Sequence, residues 1–392
     1  MRDGWIETTL GDVAEWWSGG TPKAREPKYY ENGTIPWAVI ADMNKGIINS
    51  TNSNITENAL DLIGGRLAPV GSVLISMYAS VGKSAIANIP LATNQAIAWS
   101  IPNQEKIIPF YLYLVSQQLE KEISGLARGA TQRNINRQML REFTFQLPPL
   151  PEQKRIVDLI SSVDSYIEAL QQQLMSAKKS RNAVLHELMT AGGDDWETTT
   201  IGDISDFVSV RNSPEQLSAD SIYVGLEHLE PNNTSIDNFD SVSKVTSSLT
   251  PFDVGDVLFG RLRPYLHKVA IAEMFGFCSP EILVLRANSK VLPQMLLLFC
   301  DADSTINICV ERSAGTRMPR TSTEDLASIE IKLPPIVEQI KLAELSSTFD
   351  TDISHLGITL EKSRILRSGL LSDLLSGTHE IPPSYDKVIG AA

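Results

Sequence analysis

Residues 147–156 read LPPLPEQKRI and residues 333–342 read LPPIVEQIKL. A chain that writes one junction twice is a tandem repeat, which restricts it to two copies of one architecture. Before each Pro pair lies the period-two alternation of a half-buried strand, FTFQL (Phe143 to Leu147) and IEIKL (Ile329 to Leu333). Proline cannot continue a ladder, so both strands end there. Pro151 and Glu152, and Glu338 in the second copy, suit a first helical turn with its unpaired N–H groups and positive dipole end. Other landmarks recur in the same order: WIETTLGDV from Trp5 with WETTTIGDI from Trp196, and VGSVLIS (Val70 to Ser76) with VGDVLFG (Val254 to Gly260).

The helices after the Pro pairs agree best. Ile160, Val163, Ile167, Leu170, Leu174, Ala177, Arg181, Val184 and Leu188 alternate by three and four, the a and d seam of a coiled coil. Shifted by 186, the counterparts are Ser346, Phe349, Ile353, Leu356, Leu360, Ser363, Arg367, Leu370 and Leu374. Both helices are expected to stop at glycine, Gly192-Gly193 and Gly377. A helix of about 40 residues runs ~60 Å at 1.5 Å per residue, too long for one small domain to bury. The seam needs a partner, and the equivalent seam is its own repeat. Antiparallel pairing would place the globular domains at opposite ends of a rod with pseudo-twofold symmetry. The expected organisation is a globular domain over 1–150, a helix over 151–193, a globular domain over 194–336, a helix over 337–377 and a tail over 378–392.

With 392 residues, 42% of them hydrophobic, the chain can bury two sizeable cores and is not disordered. No run of about 18 apolar residues would cross a bilayer, and the start MRDGWIETTL lacks a signal-peptide pattern; a cytoplasmic location is expected. Cys278, Cys300 and Cys309 lack CxxC spacing and read as buried thiols. The net charge of −13 lacks the basic signature of a self-sufficient nucleic-acid binder. The imbalance is uneven, however: residues 1–195 carry 18 Lys+Arg against 20 Asp+Glu, and residues 196–392 carry 16 against 27.

Motifs that would carry catalysis do not hold up. Val81-Gly82-Lys83-Ser84 ends like a P-loop, but the first glycine of that motif would fall on Met77, and the second repeat has no such stretch. The chain lacks an [DN]PP[YF] loop for adenine methylation; Ile381-Pro382-Pro383-Ser384-Tyr385 has neither Asn nor Asp. Glu330-Ile331-Lys332 supplies an ExK without the Pro-Asp of a nuclease site, and a strand of alternating charge explains it. There is no GxSxG or HExxH, and the five histidines are scattered. No catalytic residue and no metal site are expected.

Clusters suited to nucleic acid are more telling. RGATQRNINRQMLR holds Arg128, Thr131, Gln132, Arg133, Asn134 and Arg137 with no acid, just before the strand and Pro pair. Its counterpart, ERSAGTRMPR, holds Arg312, Arg317 and Arg320. Arg reads guanine edges, Asn and Gln read adenine, and all bind phosphate. A second cluster follows the VGDVLFG strand, with Arg261, Arg263, Tyr265 and Lys268; the first repeat has Tyr78, Ser80 and Lys83 there. The frame is shared and the chemistry differs, as two domains reading different sequences would show. The bland reading of the arginine segments is a solvated face.

These features, in this order and twice over, resemble the specificity subunit of type I restriction-modification systems. GGTPKAREPKYY (Gly19 to Tyr30), IPW (Ile35 to Trp37), TNQAI (Thr93 to Ile97) and SGLLSDLLSG (Ser368 to Gly377) are also similar to stretches of that family, and the resemblance covers nearly the whole chain. It implies a mixed α/β (α+β) fold of two target recognition domains joined by two long antiparallel coiled-coil helices. It further implies a non-catalytic subunit whose domains each bind half of a split double-stranded DNA target. The helices would act as a ruler and, with adjoining surfaces, hold two modification subunits. S-adenosylmethionine and adenine-N6 methylation would come with those partners, and ATP, Mg²⁺ and cleavage with motor-nuclease subunits; no cofactor is expected on this chain. The second repeat departs from the pattern, with Tyr223 to Glu230 in place of GGTP and IPW, and Ser279-Pro280-Glu281 in place of Thr93-Asn94-Gln95. The competing class is an assembly scaffold whose domains bind proteins and do not read DNA.

Overall fold

The computed structural model describes residues 4–23, 26–129, 134–313 and 318–385. It divides into two compact units, Met1–Gln171 with Thr359–Ala392, and Gln172–Ile358. Each unit therefore holds one globular repeat, the start of that repeat's long helix and the end of the other's.

In the first unit, strand Ile6–Thr9 pairs antiparallel with Thr144–Leu147, the alternating strand before the first Pro pair. Thr9 then caps the one-turn helix Leu10–Val13 through a capping box with Asp12. Among the described residues a five-stranded sheet runs in the order Ala14–Ser18, Ile97–Pro102, Val73–Ser76, Ser84–Ala87, Ile47–Ile48. A three-stranded sheet runs Ser53–Ile55, Ile35–Ala38, Ala92–Thr93. The central strand is the VGSVLIS landmark, and all four of its residues are buried because both its faces are covered. Val73 and Ile75 enter a core with Tyr111 and Leu114 of helix Pro109–Gly129, while Leu74 enters a second core with Met43, Ile48 and Trp99.

The second unit repeats the plan. Strand Glu197–Thr200 pairs with Glu330–Leu333, and Thr200 caps Ile201–Ile204 through Asp203. One sheet runs Ser205–Phe207, Ile282–Ala287, Val257–Gly260, Val269–Ile271, and the other Asp240–Ser241, Ile222–Val224, Gly276–Cys278, Thr250–Phe252. Val257 and Phe259 again face one core and Leu258 the other. All three cysteines are buried free thiols; burial pushes that of Cys278 up to about 12.

The Glu-Gln of the repeated junction is structural. Trp5 Nε1 donates to Glu152 Oε2 at 3.0 Å, and Trp196 Nε1 to Glu338 Oε2 at 2.7 Å. Gln153 is fully buried; its Oε1 accepts from Ile108 N at 2.9 Å, and its Nε2 donates to the carbonyls of Lys106 and Pro148 at 2.9 and 2.8 Å. Gln339 does the same with Leu292 N, Lys290 O and Pro334 O. One amide thus ties the loop before a domain helix to the Pro pair that starts the long helix.

The long helices are Leu150–Ala191 and Ile336–Leu375. In the first unit Ile156 and Ile160 share a core with Leu371, Leu374 and Leu375. Arg367 grips Asp164 with Nε–Oδ1 at 2.5 Å and Nη2–Oδ2 at 2.9 Å, so there the start of one helix lies antiparallel to the end of the other. In the second unit Arg181 Nε meets Asp350 Oδ1 at 2.6 Å. The seam's odd arginine is therefore an ion-pair donor, buried at Arg181 and half-buried at Arg367, and the two bridges use the same pair of repeat positions with roles exchanged. Ile167, Leu170, Leu360 and Leu374 of the expected seam are buried, and Val163, Leu174, Val184, Phe349, Ile353, Leu356 and Leu370 are half-buried. Leu188 departs from it: it is 39% exposed, and Leu185 is buried instead. A straight helix drifts by about 20° per heptad from a strict 3.5-residue repeat, which moves the inner face by the last turns. Among the described residues no helix is long and apolar enough to cross a membrane.

Candidate nucleic-acid interface

In the first unit the strand Val73–Ser76 opens into a loop over 77–83. Gly82 has φ +89°, and a Cβ on it would lie 2.8 Å from the Glu120 carbonyl oxygen. The glycine is needed because a helix passes behind the loop, and Ser80 to Lys83 form a turn: Gly82 N donates to Ser76 O at 2.9 Å and Lys83 N to Ser80 O at 3.2 Å. Tyr78 and Ser80 are exposed, and the Lys83 ammonium donates to Asn44 Oδ1. The arginine segment reaches this loop through one backbone bond, Ile135 N to Met77 O at 3.2 Å. Asn136 then caps the short helix Arg137–Arg141 by accepting from Met139 N. Tyr78, Ser80, Lys83, Asn134 and Arg137 are thereby brought to one region. Arg128 lies in the last turn of helix Pro109–Gly129; Thr131, Gln132 and Arg133 lie outside the described residues.

The GGTP, IPW and TNQAI stretches converge beside that region. Gly20 N donates to Thr93 O at 3.0 Å, Thr21 Oγ1 donates to Gln95, and Trp37 Nε1 donates to Gly20 O at 3.2 Å. A Cβ on Gly19 would stand 1.9 Å from Thr93 O, so no other residue fits. Next to this knot is a cleft of 330 Å³ lined by Trp17, Trp99, Thr93, Gly19, Arg66 and Arg137 among others. The Trp17 and Trp99 rings stack at 6.3 Å and 28°, and the Arg66 guanidinium sits 3.6 Å over the Trp17 ring. Among the described residues, Trp17 Nε1 and Thr93 Oγ1 are buried without a hydrogen-bond partner. Arg66 was not singled out in the sequence; the available signal was its place after Gly64-Gly65, a turn with both glycines at positive φ.

In the second unit, Thr321 N donates to Arg261 O at 2.9 Å, the counterpart of the Ile135–Met77 bond, and Arg263 N donates to Pro319 O at 2.8 Å. The loop carries two left-handed residues, Arg263 and His267. Arg263 is exposed, and Tyr265 is 56% exposed. The Arg261 Nε is buried without a partner among the described residues. Other expected contacts are held within the domain. Lys268 Nζ donates to Leu226 O at 2.8 Å, Arg312 donates to Asp325 O and Ser328 Oγ, and Arg320 forms a two-pronged pair with Glu281 at 2.8 and 3.1 Å. Their donors satisfy carbonyls and a carboxylate that packing places beside them, which charge counting along the sequence does not show. Arg317 lies outside the described residues. His267 Nε2 lies 2.9 Å from Asp301 Oδ1, and this hydrogen bond holds the imidazole pKa above its usual value against the opposing effect of burial.

The family profile described as the type I restriction modification DNA specificity domain matches residues 2–178 and 193–361. The EcoR124I/EcoR124II type I restriction enzyme specificity subunit of Escherichia coli is 30% identical over 181 residues, 44% of this chain and 45% of that one, so the match spans under half of either protein. The MjaIX type I restriction enzyme specificity subunit of Methanocaldococcus jannaschii is 23% identical over 370 residues, 84% of this chain and 83% of its own. In fold, the chain is similar to a type I restriction-modification S subunit from M. genitalium, with a TM-score of 0.55 at 14% identity, covering 97% of this chain and 98% of that one.

Proposed function

Because the chain belongs to the type I restriction-modification DNA specificity family, we propose that it is the subunit through which such a system reads a split DNA target. Residues 1–150 and 194–336 each take one half-site, and the long helices set the spacing. The observation that carries this reading occurs in both domains: a backbone bond ties the residue after the buried central strand to the arginine segment or the residue directly following it, Met77 to Ile135 in one and Arg261 to Thr321 in the other. Side chains able to reach phosphates and base edges are thus mounted on one frame, and their identities differ between domains, as two different half-sites require.

In this reading the chain supplies no catalytic group. Adenine-N6 methylation with S-adenosylmethionine belongs to two modification subunits, and cleavage with ATP and Mg²⁺ to motor-nuclease subunits. A net charge of −13 suits a subunit whose partners complete the positive surface around DNA. Coexpression with the modification subunit, followed by mapping of N6-methyladenine across the host genome, tests the proposal. A bipartite motif with a fixed unspecified spacer is expected; a stable complex that methylates no motif would favour the scaffold reading.

A further inference from the structure

The geometry points to a backbone-phosphate site in the first domain, a cleft in which Arg66 and Arg137 hold one phosphate of the half-site while Trp17 fixes the plane of Arg66. This assignment rests on the DNA-reading function proposed above. Both arginines are exposed, both line the 330 Å³ cleft, and neither forms an ion pair among the described residues. Among the described residues no acidic side chain lines the cleft; the Asp61 carboxylate lies near Gly65, one residue away from Arg66, without pairing with it. Two guanidiniums facing one unneutralised cleft repel each other, and an anion relieves that repulsion.

The wall chemistry favours phosphate over a base edge. A neutral base would leave two positive charges uncompensated, whereas a phosphodiester supplies a negative charge and acceptor oxygens suited to the guanidinium fork. The unpartnered groups in the wall, the Trp17 indole N–H and the Thr93 hydroxyl, can both donate and so add to the positive potential. Stacking on Trp17 at 3.6 Å restricts the Arg66 plane before any ligand arrives, which lowers the entropy lost on binding. The site belongs to one domain alone in design. Where Trp17 pairs with Trp99, the second domain has Val208, whose N donates to Val284 O at 2.9 Å. An aromatic pair retained in one repeat and replaced by valines in the other is not demanded by the shared sheet.

The test uses the complex of this chain with its modification subunit and DNA carrying the motif that the methylation map yields. Affinity is measured against salt concentration for the wild type, Arg66→Ala, Arg137→Ala, the double variant and Arg66→Lys. One phosphate contact corresponds to about 0.9 in the slope of log affinity against log salt. The double variant should lose about that much slope and bind at least roughly tenfold more weakly, since a tenfold loss needs only about 1.4 kcal/mol, while methylating the same motif. Arg66→Lys should keep the slope and lose some of the affinity, because the charge remains and the stacked plane does not. Unchanged slope and affinity in the double variant would overturn the site, and relaxed specificity at one base position would show a base contact in its place. Both results leave the DNA-reading function standing; a wild-type complex that binds no specific DNA removes that function and this site together.

Discussion

Replacing Gln153 with Met tests the account of the repeated junction. The substitution nearly keeps side-chain volume but strands three backbone groups, Ile108 N–H and the carbonyls of Lys106 and Pro148, now satisfied at 2.8 to 2.9 Å by a fully buried amide. Each such group left unpaired costs about 1–3 kcal/mol, and the more apolar side chain returns about 1 kcal/mol, so the net loss is roughly 2–8 kcal/mol. For a unit of this size a loss of 1 kcal/mol lowers Tm by about 2–4 °C, which predicts a fall of at least roughly 4 °C. Calorimetry of the purified chain reads it, and Gln339→Met should reproduce the loss in the second unit. A loss below about 1 kcal/mol in both variants would refute the argument, since it would mean that the amide does not bridge the loop and the Pro pair.

Three further outcomes are expected. Arg181→Met should destabilise the second unit by about 2–4 kcal/mol, discounted from the fully buried case because the Asp350 side chain is 37% exposed; adding Asp350→Leu should recover some of it in urea denaturation. His267, with its folded pKa raised by Asp301 and with Asp303 and the Asp301-bound Arg181 nearby, stabilises most at pH below its unfolded value of about 6.5. That contribution should fade as pH rises through the folded pKa, and His267→Gln should flatten the stability profile across that window. Arg263→Ala should leave Tm unchanged and weaken specific DNA binding by the assembled complex, measured by fluorescence anisotropy; intact binding would remove Arg263 from the interface.

What the sequence disclosed was whatever local chemistry decides. A strand ended by two prolines, a helix opened by Pro and Glu, and a seam spaced by threes and fours are written in adjacent residues, and they folded as read. The loop after the central strand and the arginine segment were each legible as clusters because the repeat marked both, but that a backbone bond joins them was not. The Arg66–Trp17 stack was not, since the two residues lie 49 positions apart and only sheet pairing brings Trp17 beside Trp99. The partners of Lys268 and Arg312 were hidden for the same reason: the sequence does not show that tertiary packing sets a carbonyl beside each cation. Leu188 strayed because a heptad template ignores the drift of a real helix.

The two bridges between the long helices bear on how such a chain can evolve. Arg181 of the first repeat meets Asp350 of the second, and Arg367 of the second meets Asp164 of the first. A gene duplicated from one ancestral unit inherits both partners twice, and afterwards each bridge has one member in each copy. Mutation can therefore rewrite the loops of one half independently, but a charge altered in one half's helix must be answered in the other's. The copies are free to diverge in what they touch and bound to descend together in how they are joined.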